Sequence, residues 1–221
     1  MKKRGFIIGT YDTSKVWTLT GWEFAPAELE TTYLDIPGRT KGPLDMSTSL
    51  SDGEPVYKSR PLTATFECSE GDRLMRKRWI ADMVNLLDGR QWEIIFPDDP
   101  HLFVVGRVRV TLLYNDPAHA SVSVTAICEP WKYYRAETVV VLTATSSKQV
   151  ATLRNSGRMP VMPTVDVTGS SVLIECGTTT YALSTDVYDS LTELYLLPGE
   201  TPIKYSGSGT LCITYREAVL E

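Results

Sequence analysis

The chain has 221 residues, of which 43% are hydrophobic and 22% charged, a balance that suits one or two packed cores and excludes a disordered chain. Its 22 basic residues stand against 27 acidic ones, and dividing it at Arg135 leaves 17 against 18 before that point and 5 against 9 after it, so neither part has the basic excess that grips phosphates. No run approaches the roughly 20 apolar residues that span a bilayer, and Met1-Lys2-Lys3-Arg4-Gly5 lacks the apolar stretch and cleavage site of an export signal, so a protein made in a cytoplasm is expected.

Apolar and polar residues alternate with period two along most of the chain, interrupted by Gly, Pro and Asp, which predicts mainly β structure. The first informative segment runs from Ile36 to Leu62. Pro37-Gly38 reads as a turn, Gly42 as a second position open to positive φ, and Leu44-Asp45 as a short extended piece. A polar stretch follows, with Asp52-Gly53 at an expected hairpin tip, and Tyr57-x-x-Arg60 opens a strand. The bland reading is that these residues only shape a turn and the start of a strand. No catalytic chemistry is apparent in them.

One helix is predicted. Met75, Trp79, Met83, Leu86 and Leu87 recur at helical spacing, Ser69-Glu70-Gly71-Asp72 resembles a capping box, and Gly89 stands at the stop. The run Arg76-Lys77-Arg78 points around much of the helix rather than along one stripe, so a solvated or intersubunit face is expected, not a phosphate site. Trp92–Phe96 and the segment from Phe103 then form a hairpin through Pro97-Asp98-Asp99-Pro100, with a bulge expected at Gly106. Val108, Val110 and Leu112 give one apolar strand face, and Val122, Val124, Ala126 and Cys128 another. Beyond Pro130 the pattern breaks and restarts at Val139-Val140-Val141-Leu142, which places a boundary at Arg135: one domain over 1–135 and a small β-sandwich over 136–221.

Cys68, Cys128, Cys176 and Cys212 are widely separated, and only His101 and His119 could assist them, so no metal site is expected. Buried free thiols are expected, with a Cys176–Cys212 bridge as the lesser alternative. Asp98 and Asp99 read as turn residues. No nucleophile elbow, metalloprotease helix or phosphate loop accompanies the histidines, so neither a catalytic residue nor a cofactor is assigned.

Taken together, the Ile36–Leu62 segment, Leu19-Thr20-Gly21-Trp22-Glu23-Phe24 with Pro26, the helix ending in Leu86-Leu87-Asp88-Gly89, and Phe103–Val108 resemble the distal tail proteins of siphophages. In the second part Asn155-Ser156-Gly157, Pro163–Val167, Leu197-Pro198-Gly199-Glu200, Gly207-x-Gly209 and Ile213–Arg216 continue the likeness. Each motif is weak; their order and spacing carry the identification. Pro202 departs from the expected polar residue.

The resemblance implies two β domains: an N-terminal sandwich or barrel-like domain with one helix and a protruding hairpin arm, and a small galectin-like C-terminal sandwich. It implies a virion structural hub at the tail tip or baseplate of a phage or prophage, and no enzyme. The N-terminal domains would form a homo-hexameric ring that joins the tail tube to the tail-associated fibre or lysin, contacts receptor-binding proteins, and lets DNA pass without specific binding or a membrane. A ring around a DNA conduit suits the absence of basic excess. Pro37, Gly38, Gly42, Asp45, Asp52, Gly53, Tyr57 and Arg60 are then assembly candidates on an arm that reaches the neighbouring subunit. The alternative is a lectin-like sandwich whose Tyr181, Tyr188, Tyr195, Tyr205 and Tyr215 stack on sugars at the host surface; no large insertion supplies a separate carbohydrate-binding module.

Overall fold

The computed structural model describes residues 4–37, 41–49, 55–177, 179–189, 191 and 194–220, with the backbone alone at Ser170. The chain divides into two compact units, the first ending at Lys132 and the second covering Tyr133–Leu220. Each has its own apolar cluster.

In the first unit the strands are β1 (Ile7–Ile8), β2 (Tyr11–Asp12), β3 (Thr18–Phe24), β4 (Tyr33–Leu34), β5 (Leu44–Asp45), β6 (Arg60–Cys68), β7 (Gln91–Ile95), β8 (Leu102–Asn115) and β9 (Ala120–Cys128), and the helix is α1 (Arg73–Leu87). A sheet runs in the order β2-β1-β7-β8-β9-β6-β3. Its registers follow the alternation: β6 buries Arg60, Leu62, Ala64, Phe66 and Cys68 on one face, and β9 sets Ala126, Val124 and Val122 opposite Leu62, Ala64 and Phe66. Burying each large apolar side chain contributes about 1.5–3 kcal/mol. The Pro97–Pro100 turn joins β7 to β8, as its composition predicts, with Ile95 opposite Phe103.

Helix α1 lays Ile80, Met83 and Leu87 into this core, while Met75 stays exposed. Its N-cap is Asp72, whose side chain accepts from the Met75 amide at 2.7 Å. Ser69 does not fill that role, and a methionine at the third helical position offers no reciprocal bond. At the other end Gly89 takes φ +74°, the left-handed stop expected of it. The adjoining Asp88 carboxylate accepts from the Val110 amide at 2.8 Å, and the Gly89 amide donates to the Val108 carbonyl at 2.8 Å, fastening the helix to β8.

Three expectations are corrected. Arg76 is 1% exposed, and its guanidinium donates to the carbonyls of Gly71 (2.6 Å), Asp116 (2.9 Å) and Pro117 (2.9 Å). It is neither solvated nor a phosphate ligand: it ties the loop before the helix to the loop after β8. Gly106 sits in regular register with Cys128, and a Cβ there would meet the Cys128 sulfur at 2.6 Å, so the glycine serves close strand packing. The irregularity in β8 falls between Leu112 and Tyr114 instead, and Leu112 turns to solvent, 48% exposed.

β10 (Lys132–Tyr134) lies at the division, and the second unit holds β11 (Thr138–Ala144), β12 (Gln149–Asn155), β13 (Thr164–Cys176), β14 (Thr179–Leu183), β15 (Asp186–Tyr188), β16 (Gly199–Tyr215) and β17 (Ala218–Val219). β13 and β16 pair along nearly their whole length. The outer halves of this pair recruit β11 and β15, and the inner halves β12 and β14. Two four-stranded layers thus share two long strands, folded over a core of Val165, Val167, Val172, Ile174, Ile203, Leu211 and Ile213. The fold line falls where the register shifts between Gly169 and Ser171. Here Gly169 and Gly207 adopt φ +140° and +130°, and a Cβ on Gly207 would lie 2.1 Å from the Ser171 carbonyl oxygen. Only glycine lets the strands cross this closely, which is the physical content of the Gly207-x-Gly209 motif.

Cys68 and Cys128 are buried, whereas Cys176 and Cys212 are half-exposed, and none is bridged to another. Cys212 lies between the inward-facing Leu211 and Ile213, so its side chain belongs to the outer face of β16.

Candidate assembly arm

Between β3 and β6 the chain leaves the sheet and returns. Its outgoing and incoming limbs are antiparallel: the Lys58 amide donates to the Glu28 carbonyl at 2.9 Å and the Glu30 amide to the Val56 carbonyl at 2.8 Å, with an isolated bridge between Leu29 and Tyr57. Further out β4 pairs with β5, Tyr33 opposite Asp45 and Leu34 opposite Leu44. The observed hairpin is therefore closed by the loop beginning at Pro37, with Gly42 at φ +76° on its return. Gly38, Asp52 and Gly53 lie outside the described residues, and the hairpin tip expected at Asp52-Gly53 lies there with them.

The root of the arm is built around Arg60. The Ala25 amide donates to the Pro61 carbonyl at 3.0 Å, continuing the β3–β6 ladder. Arg60 is 5% exposed; its Nε donates to the Ala25 carbonyl at 2.7 Å and its terminal nitrogen to the Pro130 carbonyl at 3.2 Å, while its guanidinium lies 3.9 Å from the Phe24 ring centroid. Burial lowers its pKa from the ordinary arginine value, and nearby Cys128 acts in the opposite sense. The same burial pushes the Cys128 thiol up to about 12. Below Arg60, Phe24 packs against Phe96 at 5.1 Å, and Phe96 against Phe6 at 5.4 Å and Trp22 at 5.4 Å. The Leu19–Phe24 motif is thus half of an aromatic cluster on which the arm stands. Tyr57 meets Trp131 edge-on at 5.5 Å, bracing the incoming limb.

Asp45 shapes the return. Its carboxylate accepts from the Ser47 hydroxyl at 2.5 Å and the Ser47 amide at 2.9 Å, and these bonds, the hydroxyl first, lower its pKa below the usual carboxylate value. Ser47 Oγ in turn accepts from the Thr32 amide at 2.9 Å. The Asp-x-Ser spacing is an Asx-turn signal that was readable in the sequence.

Of the eight sequence candidates, Tyr57 and Arg60 lie on the incoming limb at the root, Asp45, Gly42 and Pro37 lie further out, and three are undescribed. Sequence reasoning missed Phe24, Phe96 and Trp131 as supports, because their partners are distant in sequence. The arm's outer residues are exposed and apolar: Leu29 (49%), Tyr33 (60%), Leu34 (51%), Ile36 (39%) and Val56 (39%). Two two-residue strands without a core are marginal on their own, so this surface fits an element that is covered on assembly. Among the described residues no cluster of three or more His, Cys, Asp or Glu could hold a metal. Nor is any helix among them long and apolar enough to cross a membrane.

In the second unit the tyrosines proposed for sugar stacking are dispersed. Tyr205 and Tyr215 belong to the core, with the Tyr215 hydroxyl donating to the Arg154 carbonyl at 2.7 Å. Tyr181 and Tyr188 pack partly against it, and Tyr195 is exposed.

No protein-family model matches the chain, and no curated protein matches it significantly. Among solved structures, it is similar to the crystal structure of the SPP1 Dit (gp 19.1) protein, described as a paradigm of the hub adsorption apparatus in phages that infect Gram-positive bacteria. The likeness covers 96% of this chain and 98% of that one, with a TM-score of 0.70 and 16% identity. The two proteins share a fold over both units.

Proposed function

We propose that this chain is a distal tail protein: a non-enzymatic hub at the tip of a siphophage or prophage tail. The observation that carries this reading is the end-to-end likeness of both units to the SPP1 Dit protein, because a two-unit arrangement is more restrictive than one shared β-sandwich. Order of motifs along the sequence supports it independently of the fold.

In this reading the first units close into a ring of six around a DNA conduit, with the arm as the element that joins neighbours. The ring seats the tail tube on one side and the fibre or lysin on the other. The second unit projects as a galectin-like sandwich and offers a surface to receptor-binding proteins. A lectin role for the chain itself is disfavoured by the burial of Tyr205 and Tyr215, which removes two of the five stacking candidates.

The test is negative-stain electron microscopy with light-scattering mass on the purified chain. Rings of six copies of the 24.6 kDa chain are expected; a monomer that binds a glycan array would overturn the hub reading in favour of the lectin.

A further inference from the structure

The strand edges of the second unit are not equally guarded. In the layer that holds β11 and β15, β11 pairs with β16 on one side, and among the described residues no strand pairs with its other side. Such an edge presents a row of unpaired amides and carbonyls, which proteins usually blunt with charge, proline or a short strand. β12 carries Arg154, and β14 and β15 are only five and three residues long. β11 has none of these devices. Its seven residues, Thr138–Ala144, read Thr-Val-Val-Val-Leu-Thr-Ala.

Both faces of β11 are prepared for a further strand. Val139 and Val141 are 55% and 63% exposed, and their neighbours on β16 are Thr214 and Cys212, so no charge interrupts that face beside the edge. On the other face Val140 and Leu142 pack against the core and stay half-buried, as inward residues do where a sheet stops short. The charges bordering the strand are already paired: Glu137 with Arg216 at 2.7 Å and Lys148 with Glu175 at 2.6 Å.

We infer that the β11 edge accepts an extended, uncharged segment of another polypeptide as an added strand. The backbone of that segment completes the ladder, and alternate apolar side chains cover Val140 and Leu142, which is the division of labour in strand addition. A charge on it would be desolvated beside Val139 or Val141 without a partner. A second copy of the chain is the poorer occupant. Two β11 edges pair with each other only across a two-fold axis, and a ring closed by head-to-tail contacts has none between neighbours. This last step rests on the hub reading, and the inference adds to it the element by which the second unit holds a partner.

The test uses the full chain and a synthetic peptide, Thr-Val-Val-Val-Leu-Thr-Ala, capped at both ends and carrying a fluorophore on a short polyethylene glycol tail. Two further versions are N-methylated at alternate residues in the two possible phases, so that one loses the donors facing β11 and the other those facing away. Fluorescence anisotropy should show saturable binding of the plain peptide and of one methylated version, with binding of the other weakened about tenfold or more. Hydrogen-exchange mass spectrometry should show slowed exchange on binding confined to Thr138–Ala144. Absence of binding, equal binding of both methylated versions, or protection elsewhere would overturn the inference. So would protection of Thr138–Ala144 in the peptide-free chain that grows with protein concentration, which would give the edge to a second copy. The hub reading fails separately: a chain that forms no ring yet binds the peptide in this way keeps the strand acceptor and loses the ring.

Discussion

The two units bend their strands by opposite means. At the root of the arm the first unit uses a long cation: Arg60 fills the corner between Ala25, Pro130 and the Phe24 ring and satisfies carbonyls that the departing chain leaves open. The second unit uses the absence of a side chain: Gly169 and Gly207 let β13 and β16 touch at their common fold line. A corner held by an arginine keeps directional hydrogen bonds and can orient an exposed element. A corner held by glycines depends on steric vacancy and tolerates no added atom. Arg76 repeats the first device at the helix start, so among the described residues both buried cations lie in the unit with the arm.

The largest effect should come from filling the glycine corner. Gly207→Val forces a β-branched residue into φ +130° and onto the Ser171 carbonyl, and should cost about 4 kcal/mol or more from strain and overpacking together. Hydrogen exchange should show the lost protection confined to the second unit; equal loss in β6 and β9 would mean that the units do not fold separately. Next comes Arg76→Ala, which empties a buried site and strips three part-buried carbonyls of their donor, and should cost about 2–3 kcal/mol in the first unit alone, read by thermal unfolding.

Arg60→Lys sharpens the comparison, because it keeps the charge and loses the fork. One ammonium cannot serve the two carbonyls and stack on Phe24 as the guanidinium does, so about 1–2 kcal/mol should be lost, with faster exchange at the Glu30 and Lys58 amides. Stability equal to wild type would show that charge alone holds the root. The smallest effect concerns pH. Asp45 has a depressed pKa in the folded arm, so its turn is fully stabilised above the ordinary carboxylate value of about 3.9 and loses that support as the pH falls through the lower folded value. Exchange at the Ser47 and Thr32 amides, corrected for intrinsic pH dependence, should stay constant from pH 5 to 8 and rise only in acid.

Much of this fold was legible from local pattern. Alternation located β8 and β9, Tyr57-x-x-Arg60 marked the entry to β6, turn chemistry located the Pro97–Pro100 hairpin, and Gly89 ended the helix, because each depends on residues a few positions apart. What escaped depends on distant partners. Arg76 looked like one of three surface cations until the Asp116 and Pro117 carbonyls came to it from across the unit. Gly106 looked like a bulge because its close neighbour, Cys128, is 22 positions away. The arm was legible as a segment, and the roles of Tyr57 and Arg60 were hidden in Trp131, Phe24 and Pro130. Gly207-x-Gly209 was visible as a motif without its reason, which is a strand crossing that only the register reveals.

The central claim is that the arm assembles the protein, and the most direct measurement is sedimentation velocity on the wild-type chain and a variant lacking Ser47 to Glu54. The account predicts a six-chain species for the wild type and a folded single chain for the deletion, with circular dichroism unchanged outside the arm. An unchanged oligomer mass after the deletion would contradict it.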